Sequence, residues 1–215
     1  MNNCDLKPLP LGTSDFAALR SDGQIYVDKT ALIYEIASKR QKFFLSRPRR
    51  FGKSLLISTF ESLFKYGLRD FKGLAIEKLW KDAGTYQVVR LDFSGIKSFV
   101  SVEDFSVKLT SLLAGSFMPL GFSYEENTAV NLMDQLSNWL KTLSPNSLVL
   151  LIDEYDAPLT GCLSKPQLFE DARKELSEFY ARIKSNDGAV RFFFMTGITK
   201  FNKTSIFLSL IHISE

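Results

Sequence analysis

The residues that most often build metal and hydrolytic sites are nearly missing from this chain. Histidine occurs once, as His212 near the tail, and cysteine twice, as Cys4 and Cys162. That supply excludes a zinc site and a Ser-His-Asp triad. Two cysteines so far apart form no disulfide framework. No apolar run approaches the ~20 residues of a membrane-spanning helix. Residues 1–10 are polar and lack the apolar stretch of a secretory leader. A soluble cytoplasmic protein with no membrane partner is the expectation. A dominant charge sign is missing too: 27 Lys and Arg face 24 Asp and Glu, for a net +3. A dedicated nucleic-acid binder carries a long basic stripe, so nucleic acid is not supported as a partner.

What is present is ordinary globular material. Hydrophobic residues make up 45% of the chain and charged residues 24%, which excludes disorder. The 215 residues suffice for one sizeable α/β core. Residues 1–25 read as a loop-rich N-terminal extension. Asp28 is placed to cap a helix over residues 29–39 carrying Leu32, Ile33 and Ile36. An apolar strand around Phe43, Phe44 and Leu45 follows. Leu56, Phe60, Leu63 and Phe64 then form a helical stripe that should end before Gly67. Residues 68–85 are mixed, with Leu79 and Trp80 as anchors, and residues 86–93 read as a strand. Ser101 caps a helix bearing Val102, Phe105, Leu109, Leu112 and Leu113. Another helix carries Leu132, Met133, Leu136, Trp139 and Leu140. Leu148-Val149-Leu150-Leu151-Ile152 has the continuous apolar character of a strand buried on both faces. Phe169, Ala172, Leu176, Phe179, Tyr180 and Ile183 predict a long helix, and residues 190–195 a last strand. Strands alternating with helices indicate an α/β domain with a mainly parallel sheet.

The chemistry concentrates at two strand ends. After the first strand the chain reads Arg47-Pro48-Arg49-Arg50-Phe51-Gly52-Lys53-Ser54. A buried strand, a tight basic loop and a helix start are the parts of a phosphate-binding loop. Backbone N–H groups at residues 50–54 (Arg50, Phe51, Gly52, Lys53, Ser54) would cradle oxygens, Lys53 would neutralise charge, and the Ser54 hydroxyl would join a magnesium shell. The generic pattern places its first glycine where Arg47 stands. The apolar strand at 148–152 ends in Asp153-Glu154. An acid at such an edge helps hold Mg²⁺, and a neighbouring glutamate can activate water. Asp153 suits the first role and Glu154 the second; solvated loop acids are the plain alternative. Thr196 closes the next strand, either as a γ-phosphate contact or as the turn before Gly197. Asp92 is expected to cap the Ser94-Gly95 turn, and Asp156 to meet a loop arginine without a catalytic role. Lys200 and Lys203 are lysines that approach phosphate or are simply solvated.

These segments together resemble a known family. Tyr26-Val27-Asp28-Lys29-Thr30, the Arg47–Ser54 string, Leu91-Asp92-Phe93-Ser94, Ile152-Asp153-Glu154-Tyr155-Asp156 and Thr196-Gly197-Ile198-Thr199-Lys200-Phe201 are similar, in this order, to the predicted AAA-ATPase-like family of bacterial proteins. The resemblance runs over residues 7–207, and in that family arginine at the position of Arg47 is usual. It implies a P-loop NTPase-like three-layer sandwich over residues 26–207, with helices on both faces of the sheet. It also implies ATP and Mg²⁺ as cofactors, Lys53 and Ser54 as phosphate and metal contacts, and Asp153 and Glu154 as metal-linked acid and base. Members commonly continue into a C-terminal PD-(D/E)XK nuclease-like domain. No such constellation stands in this chain, and that domain is expected as a partner absent from it. The tail at 208–215 departs from the family and reads as truncated or artefactual sequence; a short genuine strand is the alternative.

The resulting expectation is an ATP-binding protein that acts as a Mg-dependent ATPase. A non-catalytic nucleotide switch, an interaction domain with a degenerate site, and a small-molecule phosphotransferase are its rivals. A homo-oligomer stays open, since an arginine supplied by a neighbour is worth about 10³–10⁵ in rate in related NTPases.

Overall fold

A computed structural model describes residues 7–126 and 128–199. In chain order its elements are α1 (Phe16–Ser21), α2 (Thr30–Ala37), β1 (Lys42–Ser46), α3 (Lys53–Tyr66), α4 (Ile76–Leu79), β2 (Gln87–Asp92), α5 (Val102–Phe117), α6 (Leu132–Leu140), β3 (Leu148–Asp153), α7 (Ala157–Gly161), α8 (Pro166–Ser185) and β4 (Val190–Gly197). The four strands form one sheet in the order β1-β4-β3-β2, and every neighbouring pair is parallel. Parallel neighbours need a crossover, and helices supply each one.

The sheet divides the core in two. Leu148, Leu150, Ile152, Phe193 and Met195 face a cluster built with α5, α6 and α8, including Leu109, Leu113, Leu136, Leu176 and Phe179. Val149, Leu151, Phe192 and Phe194 face the other cluster, with Phe16, Ile57, Phe60, Phe64 and Trp80. Helices thus cover both faces, and β3 is buried along its whole length, as its unbroken apolar run requires. β4 departs from simple alternation because Leu148 pairs with Val190 while the next residue, Val149, pairs with Phe192. Arg191 is the extra residue of this bulge, and its guanidinium donates to the Ala37 carbonyl at 3.2 Å. Phe192 lies 4.9 Å from the ring of Phe64 and 5.0 Å from that of Phe60, which fastens β4 to α3, the helix that follows the glycine-lysine-serine stretch.

Several local expectations change. The loop-rich leading segment carries one short helix: Asp15 accepts from the Ala18 N–H and caps α1, whose Phe16 and Leu19 are buried. In α2, Ile33 is buried while Leu32 is exposed. Lys29 rather than Asp28 occupies the cap position. The Asp28 carboxylate still accepts from the Thr30 N–H at 2.9 Å, and its other oxygen takes the Ala75 N–H at 2.8 Å, tying α2 to α4. Between α3 and β2, Trp80 is buried with Phe71 and Ile76, whereas Leu79 is 37% exposed. Ser101 and Asn131 cap α5 and α6 through their side chains. Among the described residues no helix is long and apolar enough to cross a membrane. Cys4, Lys200, Lys203, His212 and the 208–215 tail lie outside the described residues.

Candidate functional site

β1 delivers the chain at Ser46 to one edge of the sheet. There the Arg47 N–H donates to the Gly197 carbonyl of β4 at 3.1 Å, so the loop leaves from a fixed point. Arg50 and Gly52 then take left-handed backbone angles, with φ of 66° and 73°. Gly52 is suited to its angle for lack of a Cβ rather than for lack of space, since an added Cβ would meet nothing within 4 Å. α3 begins immediately, at Lys53. The first N–H groups of a helix have no partner inside it, and the helix dipole adds positive potential at that end. Lys53 is 6% exposed. Its ammonium turns back under the loop, donating to the carbonyls of Arg47 at 3.1 Å and Pro48 at 3.0 Å. An ammonium has three donors, so one is left over. Arg49, Arg50 and Phe51 are exposed.

The acidic end is built differently. Asp153 closes β3 and is 2% exposed. One of its carboxylate oxygens accepts from the Thr196 hydroxyl at 2.5 Å and from the Glu154 N–H at 3.1 Å. Its other oxygen takes no hydrogen bond among the described residues. Thr196 is fully buried, and its hydroxyl is committed to orienting Asp153. Glu154 has φ of 50°, a left-handed angle that costs a non-glycine residue of order 1 kcal/mol. That angle is held because the Tyr155 N–H bonds the Thr196 carbonyl at 3.0 Å and the Ala157 N–H bonds the Glu154 carbonyl at 2.9 Å. Glu154 lines a cleft of about 640 Å³ together with Arg49, Lys97, Phe99 and Lys108. One wall of this cleft therefore comes from the loop after β1 and another from the turn after β3.

The strand order decides what faces what. β4 lies between β1 and β3, with Leu45 opposite Thr196 and Ile152 opposite Met195. At ordinary strand spacing the β1 and β3 ends are about 10 Å apart, which leaves room for a phosphate group between loop and acid. Among the described residues no hydrogen bond joins a loop side chain to Asp153 or Glu154. Asp92 lies opposite Asp153 in register, but its carboxylate accepts from the Ser94 N–H at 2.9 Å and caps that turn. Among the described residues no three His, Cys, Asp or Glu side chains gather as a metal cluster. Mg²⁺ bound with a nucleotide asks for less: one or two protein oxygens, with phosphate and water filling the octahedron. The free oxygen of Asp153 and the half-buried Ser54 hydroxyl are hard donors of that kind, so the donor set fits.

Asp156 does not meet a loop arginine. It is 1% exposed, and one carboxylate oxygen accepts the N–H groups of Ile198 at 3.0 Å and Thr199 at 2.7 Å. Arg47, Arg49 and Arg50 form no ion pair among the described residues. The buried Tyr155 joins the same turn, its hydroxyl donating to the Thr199 carbonyl at 2.7 Å. From the sequence, Asp156 is given only a loop arginine and no catalytic role, and Tyr155 no part in the site. No local signal points to these partners, which lie 42 and 43 residues from Asp156.

A four-stranded parallel α/β domain, with a glycine-lysine-serine loop on one strand and a buried acid two strands away, is consistent with the P-loop class. The chain belongs to the predicted AAA-ATPase family, whose profile matches residues 10–207. The matched span takes in α1. An uncharacterized protein encoded in the vnfD 5′ region of Azotobacter chroococcum mcd 1 is 32% identical over 210 residues. That alignment covers 97% of this chain and 40% of the relative, so the chain spans well under half of that protein's length. No solved structure matches the chain. Family membership carries a coarse function, nucleotide binding of the ATPase kind.

Proposed function

We propose that this chain is an ATP-binding domain that hydrolyses ATP with Mg²⁺. The observation that supports this reading is the convergence on one sheet edge of Lys53, at the start of α3, and the Thr196-oriented Asp153. The N–H groups at residues 50–54 would take the phosphate oxygens, and Lys53 would move from the carbonyls of Arg47 and Pro48 to the polyphosphate. Ser54 and the free oxygen of Asp153 would hold Mg²⁺, which neutralises phosphate charge when bound. Glu154 would accept the proton of the attacking water.

A second reading, a switch without turnover, is favoured by one feature. The Lys53 ammonium already spends two of its three donors on loop carbonyls, so turning it fully toward a polyphosphate would release the loop. A segment elsewhere in a longer protein would then respond to that rearrangement.

Thermal unfolding with and without Mg-ATP, on the wild type and on Lys53→Ala, tests the shared premise. A ligand at a hundredfold excess over Kd raises stability by about 2.7 kcal/mol. The shift is expected in the wild type and absent in Lys53→Ala; its absence from a folded wild type would overturn both readings. Glu154→Gln separates them. Retained binding with lost phosphate release is the hydrolase outcome, and no phosphate release even in the wild type is the switch outcome.

A further inference from the structure

We infer that Asp156 is a positioning residue, which sets the start of the phosphate loop from the acidic side of the site through the turn at residues 197–199. This turn is gripped from two directions. From the acidic side, the Asp156 carboxylate takes the Ile198 and Thr199 N–H groups, and the Tyr155 hydroxyl donates to the Thr199 carbonyl. From the loop side, the Ser46 hydroxyl donates to the Ile198 carbonyl at 3.0 Å and the Arg47 N–H to the Gly197 carbonyl at 3.1 Å. Each of these groups belongs to the first or last residues of a functional segment. Ser46 and Arg47 lead into the loop, and Tyr155 and Asp156 follow directly on Glu154.

The grip is close as well as polar. A Cβ on Gly197 would sit 2.4 Å from the Tyr155 ring and 2.9 Å from an Asp156 carboxylate oxygen. Backbone of β4 therefore packs against the two side chains with no room for slack. A buried carboxylate accepting backbone N–H groups forms charge-assisted bonds, stronger and more directional than neutral ones. Two such bonds on adjacent amides fix the orientation of both peptide planes, and with them the Gly197 and Ile198 carbonyls that hold Arg47 and Ser46. A shift of the turn is thus felt at the point where the phosphate loop departs, on the far side of β4 from Asp156. In interiors packed this tightly, displacements are transmitted rather than absorbed.

The linkage itself needs no nucleotide, and only its effect on affinity rests on the proposed ATP binding. The first measurement is therefore amide hydrogen exchange on the ligand-free protein. Asp156→Ala should speed exchange about tenfold or more at Ile198, Thr199 and Arg47 while amides of β2 keep their wild-type rates. Asp156→Asn retains an oxygen with two lone pairs and should restore Arg47 protection. Faster exchange at Ile198 and Thr199 with an unchanged Arg47 amide would overturn the proposal. Ser46→Ala, a change at a half-buried position, keeps the test alive if Asp156→Ala does not fold. It should loosen Ile198 and Thr199 from the loop side, and unchanged rates there would count against the linkage.

The second measurement is steady-state ATP hydrolysis. Asp156→Ala should raise KM about tenfold with kcat changed less than about threefold, the pattern of a loop misplaced for binding rather than a lost base. A fall in kcat with KM intact would overturn the assignment. If the wild type neither binds nor hydrolyses ATP while Arg47 still responds to Asp156, the functional reading fails and the linkage stands.

Discussion

The strand ends that form the site are held in opposite ways. β1 is half-buried at every position and, among the described residues, hydrogen-bonded to one neighbour, β4. β3 is buried at every position and bonded on both sides. Past β1 the chain runs through an exposed loop with two left-handed residues before α3 takes it up. Past β3 it turns at once, with Glu154 in a left-handed angle and Asp153, Tyr155 and Asp156 all buried. The acids are thus preorganised by the protein. The loop is closed on its own lysine. Where a group must orient a proton transfer, preorganisation is worth the strain. Where a group must wrap a ligand, pliability serves better.

Glycines at the two ends provide the sharpest test. Gly197→Ala drives a methyl into the Tyr155 ring, and overpacking of that severity costs about 3 kcal/mol. It should be the most damaging of these changes in denaturant unfolding; a loss below about 1 kcal/mol would mean the acidic end yields as easily as the loop. Gly52→Ala meets open space but must hold φ of 73°. A left-handed angle costs an L-residue about 1 kcal/mol, so a smaller loss is expected there.

Between these lies Thr196→Val, which keeps the shape and removes the hydroxyl donated to Asp153. A hydrogen bond to a charged group is worth about 2 kcal/mol. The same substitution should weaken nucleotide-dependent stabilisation if Asp153 must be oriented to serve the metal. Unchanged unfolding would show that Asp153 finds another donor.

The parts that could be read from the sequence are those with local causes. The run at 148–152 announced a strand buried on both faces, and β3 is that strand. Gly52, Lys53 and Ser54 announced a helix start, and α3 begins at Lys53. What escaped depends on partners far along the chain. Asp156 acts on amides 42 and 43 residues away, and nothing near it in sequence hints at them. Thr196 could be read as a phosphate contact or as a turn residue; its hydroxyl goes to Asp153, which only the β3–β4 pairing explains. α1 has a capping aspartate and two buried apolar residues, too few to give a period. The strand order, which puts Thr196 beside Asp153, follows from long-range pairing and has no signature in any one segment.

The mildest expected effect concerns an anchor far in sequence from both strand ends. Asp28 ties α2 to α4, and its carboxyl is held below the usual aspartate range. Burial alone would raise it, but hydrogen bonds from the Thr30 hydroxyl, the Thr30 N–H and the Ala75 N–H outweigh that penalty. A carboxyl with a depressed folded-state pKa contributes stability that is fully present above the unfolded value, about 3.9, and is lost as pH falls through the lower folded value. Asp28 is exposed, so solvent screening reduces its contribution to roughly a few tenths of a kcal/mol. Asp28→Asn should therefore lower the denaturant midpoint slightly at neutral pH. The gap between mutant and wild type should close below about pH 4. A gap that persists undiminished in acid would mean that geometry, not charge, makes this anchor, and that the packing of α2 on α4 tolerates a neutral side chain no better than a missing one.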